Sequence, residues 1–201
     1  MKLVRVFLLV CIVFVQACAL APFSSNHSAR TVGKGNFSVQ AGGAVPDIVV
    51  PYVRIGYGVT PNTEIGVLSE AQFAQVIAGL YGKYAFINNP EGEAVSLEAG
   101  MGAGGTSAYC YIGPSIGYKF HWWEPYLSAR YNYVNVGTDL DFDDNFHHIR
   151  YFNEGAELQY ALVTIGNTLW LGQGFGLNLN ANATFGDVET VYAGAGIVFV
   201  F

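Results

Sequence analysis

The amino-acid sequence predicts an all-β fold, an antiparallel up-and-down transmembrane β-barrel of ten strands, from three observations. The chain is apolar but short of charge, 52% against 12%, with 15% aromatic residues and 25 glycines among its 201 residues. After residue 17 it holds no apolar stretch of the roughly 18 residues that a membrane helix needs, so its hydrophobicity comes in short pieces. Within those pieces apolar residues alternate with polar residues or glycine, the period of a strand with two unlike faces. A soluble barrel must keep its outside wet, whereas an apolar outside around a polar inside suits lipid.

The first element is removable. Lys2 and Arg5 flank a continuous apolar run from Val6 to Val15, VFLLVCIVFV. That run is about half the length of a bilayer-spanning helix, so residues 1–17 read as a signal peptide. Its loss takes two positive charges and no acid, moving the formal charge from −6 to −8. No basic patch survives, which excludes nucleic acid as a partner. Residues 18–35, CALAPFSSNHSARTVGKG, follow as a polar segment containing Pro, Gly and Ser, expected to be a flexible tether.

The barrel occupies residues 36–201. Its strands are expected at 36–44, 48–59, 63–69, 76–87, 93–103, 107–120, 125–136, 154–166, 175–185 and 190–201, each bounded by turn residues. FGLNLNANATF is the clearest: Phe175, Leu177, Leu179, Ala181, Ala183 and Phe185 share one face, and Gly176, Asn178, Asn180, Asn182 and Thr184 the other. AVSLEAGMGA separates Val95, Leu97, Ala99 and Met101 from Ser96, Glu98, Gly100 and Gly102 in the same way. The closing VYAGAGIVFVF sets Phe201, Phe199 and Ile197 against Val200, Val198 and Gly196. Strands 8 and 10 are less regular, because Ala161, Val163, Val198 and Val200 fall on the lumen side, and an eight-stranded barrel is the alternative.

With periplasmic termini the turns TPN, NNPEG, HWWE and the stretch around LGQG lie on the periplasmic side. VPD, SEAQFAQ, GAGGT, residues 137–153 and GDVE then lie outside, which places the longest connection outside, as such barrels prefer. Trp122, Trp123 and Trp170 fall at the periplasmic rim, where an aromatic girdle belongs.

Two resemblances follow from these residues. Val15-Gln16-Ala17-Cys18 resembles the lipobox of bacterial lipoproteins, although Gln16 departs from the usual small or aliphatic residue. An ordinary cleavage site at Ala19-Leu20-Ala21 would leave Pro22 just after the cut, which favours the lipobox. The resemblance implies acylation of Cys18 and, with Ala19 in place of a retaining aspartate, sorting to the outer membrane with the anchor on the periplasmic side. Cys11 leaves with the signal and Cys110 is then alone, so no disulfide framework is available. From residue 36 onward the pattern resembles a small Gram-negative outer-membrane β-barrel of the OmpA/OmpX type. That resemblance implies outer-membrane lipids as surroundings and the barrel-assembly and lipoprotein-sorting machineries as partners during biogenesis. Phe199 and Phe201 stand where such barrels carry their C-terminal assembly signal.

The lumen face gathers nearly all strand charges: Arg54, Lys83, Lys119 and Arg130 against Glu64, Glu98 and Glu157. In so narrow an interior these groups are expected to pair, giving a largely plugged lumen with a structural or surface-interaction role. A narrow pore lined by the same ions is the alternative. The connection GTDLDFDDNFHHIRYFNEG carries Asp139, Asp141, Asp143, Asp144, His147 and His148, which suit ion or ligand contact at the surface. DLDFDD resembles the opening of a Ca²⁺ loop, but Asp144 stands where the loop needs Gly and Arg150 where it needs Glu. Those histidines and acids, with Thr106 and Ser107, could form the hydrolytic set of a lipid-modifying enzyme, yet no motif of such enzymes matches. No cofactor, metal or catalytic residue is expected.

Overall fold

The computed structural model describes residues 20–24, 28–46, 49–72, 75–137 and 155–201. Cys18 and the residues from Asp139 to His148 therefore lie outside the described residues. The strands are β1 (Phe37–Val45), β2 (Val50–Thr60), β3 (Thr63–Gln72), β4 (Gln75–Asn88) and β5 (Glu93–Gly104). They continue with β6 (Ser107–Tyr118), β7 (Trp123–Val136), β8 (Ala156–Gly172), β9 (Phe175–Gly186) and β10 (Thr190–Val200). Each pairs with its chain neighbours, and β1 pairs antiparallel with β10 to close the barrel. At the seam Phe37 and Phe201 exchange backbone hydrogen bonds of 3.0 and 2.9 Å. The fold is thus the expected ten-stranded antiparallel barrel, and a closed sheet leaves no unpaired edge.

β8 departs most from expectation, running on to Gly172 rather than stopping near 166. Asn167 and Thr168 resemble a strand end in the sequence, but Thr168 faces the lumen and accepts a hydrogen bond from Asn178 there at 2.9 Å. A tight turn at Gln173 and Gly174 then leads into β9.

Call the end that carries the start of β1 and the finish of β10 the terminal end, and the other the far end. The outward face between them is apolar, with Ile55, Val67, Leu80, Ile112, Ile165 and Leu179 all exposed. The charged strand residues that point outward, Glu93 and Glu157, sit at opposite ends of the barrel, leaving the middle free of charge. Aromatic rings gather on the outside of the terminal end: Phe37 against Tyr57, Tyr84 against Phe86, Phe120 between Tyr118 and Trp123, and Phe199 between Phe175 and Phe201. This is the belt expected at a lipid–water interface, built more from Phe and Tyr than from Trp.

Inside, tyrosines lie directly across from glycines: Tyr81 from Gly66, Tyr111 from Gly100, and Tyr126 from Gly166. A Cβ on Gly100 would stand 2.5 Å from the Tyr111 ring, so these two residues fit only as a large–small pair. Such pairing lets a ring cover the bare backbone of the next strand.

The lumen is not polar along its whole length. Toward the far end it holds two apolar clusters, one with Ala21, Val134, Leu158 and Tyr160, the other with Phe23, Val50, Leu162 and Tyr192. This corrects the face assigned to β8: Leu158, Tyr160 and Leu162 point inward because apolar residues of the N-terminal segment await them there. Ala161 and Val163 turn outward, and Glu157 with them, away from the lumen network.

Candidate functional site

The site is the lumen together with the chain inside it. Of the stretch expected to hang free as a tether, the described residues 20–24 and 28–32 run within the barrel, where Ala21, Pro22, Phe23, Ala29 and Thr31 are buried. An irregular segment in such surroundings needs partners for its backbone polar groups, and the wall supplies them. Leu20 N–H donates to Gln72 Oε1 at 2.9 Å. The amides of Phe23 and Ser24 each donate at 2.9 Å to the two oxygens of Glu70. Tyr160 donates to the carbonyl of Ala21 at 3.1 Å, Tyr192 to that of Phe23 at 2.8 Å, and Arg130 to that of Pro22. Nearer the terminal end Lys83 Nζ donates to the carbonyls of Ser28 and Arg30 at 3.0 and 3.3 Å. The Val32 amide donates to Glu64 at 3.1 Å.

The charged groups form a connected network. Arg54 and Glu98 make a bidentate pair at 3.0 and 2.6 Å, both buried, and Lys83 stands 3.8 Å from the same carboxylate. Tyr111 donates to Glu98 at 3.0 Å and Tyr81 to Glu64 at 2.7 Å. The Arg54 guanidinium lies 3.4 Å from the centre of the Tyr81 ring, and that of Arg130 lies 4.5 Å from the centre of Tyr111. Arg30, from the N-terminal segment, pairs with buried Glu124 at 3.0 Å. Glu124 also accepts from Ser28 and, at 2.7 Å, from Trp170. Planar guanidinium groups suit this setting, since they satisfy a carboxylate through two bonds and stack on rings with the remaining surface.

Arg54, Glu64, Lys83, Glu98 and Arg130 are therefore brought together as expected from the sequence. Lys119 is not: it lies at the terminal rim, 3.0 Å from Glu91 of the β4–β5 turn and near Trp170. Its hydrogen bond holds the Glu91 carboxyl below the usual carboxylate range. Trp170 is likewise drawn off the girdle toward the lumen mouth by its bond to Glu124. Three lumen groups escape the sequence reading: Glu70 and Glu124, which fall in stretches read as turns, and Arg30, in the stretch read as tether. With them, Arg30, Arg54, Lys83 and Arg130 face Glu64, Glu70, Glu98 and Glu124, so the lumen charges balance among the described residues. The signal that could have revealed them is the surplus of cations in the first assignment, since charges enclosed in low dielectric need neutralising.

The wall of β8 and β9 is neutral and also bonded. Asn182 donates to Asn180 at 2.6 Å, Asn180 to Asn178 at 3.1 Å, and Tyr126 to Asn178 at 3.0 Å. Beside the segment at the terminal end a cavity of about 770 Å³ is lined by groups including Arg30, Glu64, Lys83, Lys119 and Glu124. Ser107 faces inward at the far end, buried.

No family model matches the chain, and no curated protein matches it in sequence. Among solved structures it is similar to the N-terminal β-barrel domain of OprF of Pseudomonas aeruginosa, at 16% identity and a TM-score of 0.45, over 84% of this chain and 99% of that one. It is similar to the KdgM porin at 8% identity and 0.49, over 82% and 99%. It is similar to OprG of Pseudomonas aeruginosa at 10% identity and 0.45, over 87% and 99%. These are likenesses of β-barrel architecture.

Proposed function

We propose that this protein is a lipoprotein β-barrel of the Gram-negative outer membrane, acylated at Cys18, with its terminal end toward the periplasm. Its lumen is closed by its own N-terminal segment, and its role is structural or one of surface interaction. The apolar exterior, free of charge in its middle, supports membrane residence, and the long 137–155 connection at the far end supports the orientation. The observation that carries the closed lumen is the engagement of Glu64, Glu70, Lys83, Glu124 and Arg130 with Pro22, Phe23, Ser28, Arg30 and Val32. Lining charges bound in this way do not coordinate passing ions.

Planar-bilayer recording tests the reading. The full barrel is expected to give no current steps, and a variant lacking residues 20–32, still shifting in mobility on heating, is expected to conduct. Steady currents from the full barrel would sink the closed-lumen reading. They would favour a narrow pore through the 770 Å³ cavity, whose ion selectivity Lys83→Gln would then alter. A mass loss in Cys18→Ala equal to the acyl groups checks the lipid. The anchored end was expected on the periplasmic side, but the course of the N-terminal segment supports the opposite one.

A further inference from the structure

The two described parts of the N-terminal segment, residues 20–24 and 28–35, lie at different depths of the barrel. At the terminal end the Gly35 amide donates to the Gly58 carbonyl at 2.8 Å. At the other end of the segment Leu20 N–H is held by Gln72, the last residue of β3, at the far rim. Between these points successive backbone groups bond to the wall: Val32 to Glu64, Ser28 and Arg30 to Lys83, Pro22 to Arg130, then Phe23 and Ser24 to Glu70. Residues 28–35 are thus held toward the terminal end, and residues 20–24 from mid-barrel to the far rim: Pro22 meets Arg130 in the middle of β7, Phe23 and Ser24 meet Glu70 near the end of β3, and Leu20 meets its last residue. A plug that entered and left by the same mouth would bring residues 20–24 back to the terminal end.

Chain length then decides where the mature N terminus can be. Cys18 precedes Leu20 by two residues, which span about 7 Å when fully extended. The apolar band of an outer-membrane barrel is about 25 Å tall, so those two residues cannot return to the terminal end.

We infer that the barrel carries its own N terminus through the membrane and displays it at the cell surface, so that acyl chains on Cys18 enter the outer leaflet and not the inner one. The inference rests on the outer-membrane reading and orientation proposed above. It also sets an order of assembly. A closed lumen crossed by Arg54, Tyr81 and Arg130 admits no acylated end, so the segment is enclosed as β1 and β10 close the seam.

The test places a short epitope tag between Ala19 and Leu20 in the full-length protein, and a second tag, in a separate variant, within the 137–155 connection. Antibody binding is compared on intact and permeabilised cells, with the heat-induced mobility shift measured on the same samples. The expected result is a heat-shifting barrel whose two tags both react on intact cells, with no gain on permeabilisation. If the barrel shifts and the connection tag reacts on intact cells while the N-terminal tag needs permeabilisation, the display is overturned and the barrel reading stands. If both tags need permeabilisation, the orientation fails and the inference with it, and a protein that never shifts sinks the membrane barrel itself. Should the insertion weaken the heat-shifting band, Leu20→Cys with Cys110→Ala decides the same question by its reaction with a membrane-impermeant maleimide.

Discussion

Strand β6 presents two faces with different demands. Outward, Ile112 and Ile116 are exposed to the surroundings, where any apolar side chain of similar size would serve. Inward, Tyr111 on the same strand donates to Glu98, lies beside the Arg130 guanidinium and covers Gly100, three contacts that call on both its hydroxyl and its ring. The outer face asks for a class of side chain and the inner face for particular partners. The reason is physical: lipid is a uniform solvent, whereas each buried polar group must find one particular partner.

The largest effect is expected from breaking an inner partnership. Glu98→Ala leaves Arg54 and Lys83 facing a missing carboxylate and is expected to destabilise the barrel by about 3–5 kcal/mol, read from denaturant unfolding in lipid vesicles. Replacing the bidentate pair as a whole, Arg54→Met with Glu98→Leu, should recover most of that loss. If the single variant were as stable as the wild type, the network would not be holding the wall. Next comes a breach of the outer rule. Ile112→Arg, in the middle of the apolar band, is expected to cost about 2–4 kcal/mol in the same assay, while Ile112→Leu costs little. Equal tolerance of arginine and leucine would mean that this face does not meet hydrocarbon.

The smallest effect belongs to the rim, where the distinction between faces fades. Because Lys119 holds the Glu91 carboxyl low in the folded barrel, its contribution is present above the ordinary carboxylate range and is lost as pH falls through the folded value. A slight fall in stability on acidification is expected for the wild type, and it should be absent in Glu91→Gln and reduced by salt. An unchanged acid response in Glu91→Gln would assign it to other carboxylates.

The same division explains what could be read from the sequence. FGLNLNANATF and AVSLEAGMGA gave their faces away by alternation alone, because one side of each meets a uniform solvent. β8 misled because its interior side, Leu158, Tyr160 and Leu162, is as apolar as its exterior side. What makes it apolar is Ala21 and Phe23, residues more than a hundred positions away whose presence in the lumen no local pattern announces. Glu70 and Glu124 were hidden likewise, since a carboxylate waiting for the amides of Phe23 and Ser24 looks in isolation like a turn residue. The strand positions of the site were legible, and the segment that completes it was not.

The aromatic belt at the terminal end has a mechanical consequence. Rings with a preference for the interface fix the height of a barrel in its bilayer, and among the described residues they are concentrated toward the terminal end. A membrane that thickens or thins therefore moves its opposite boundary past the far rim while the ringed end keeps its level. The barrel is moored at one end, and its other end follows the tide.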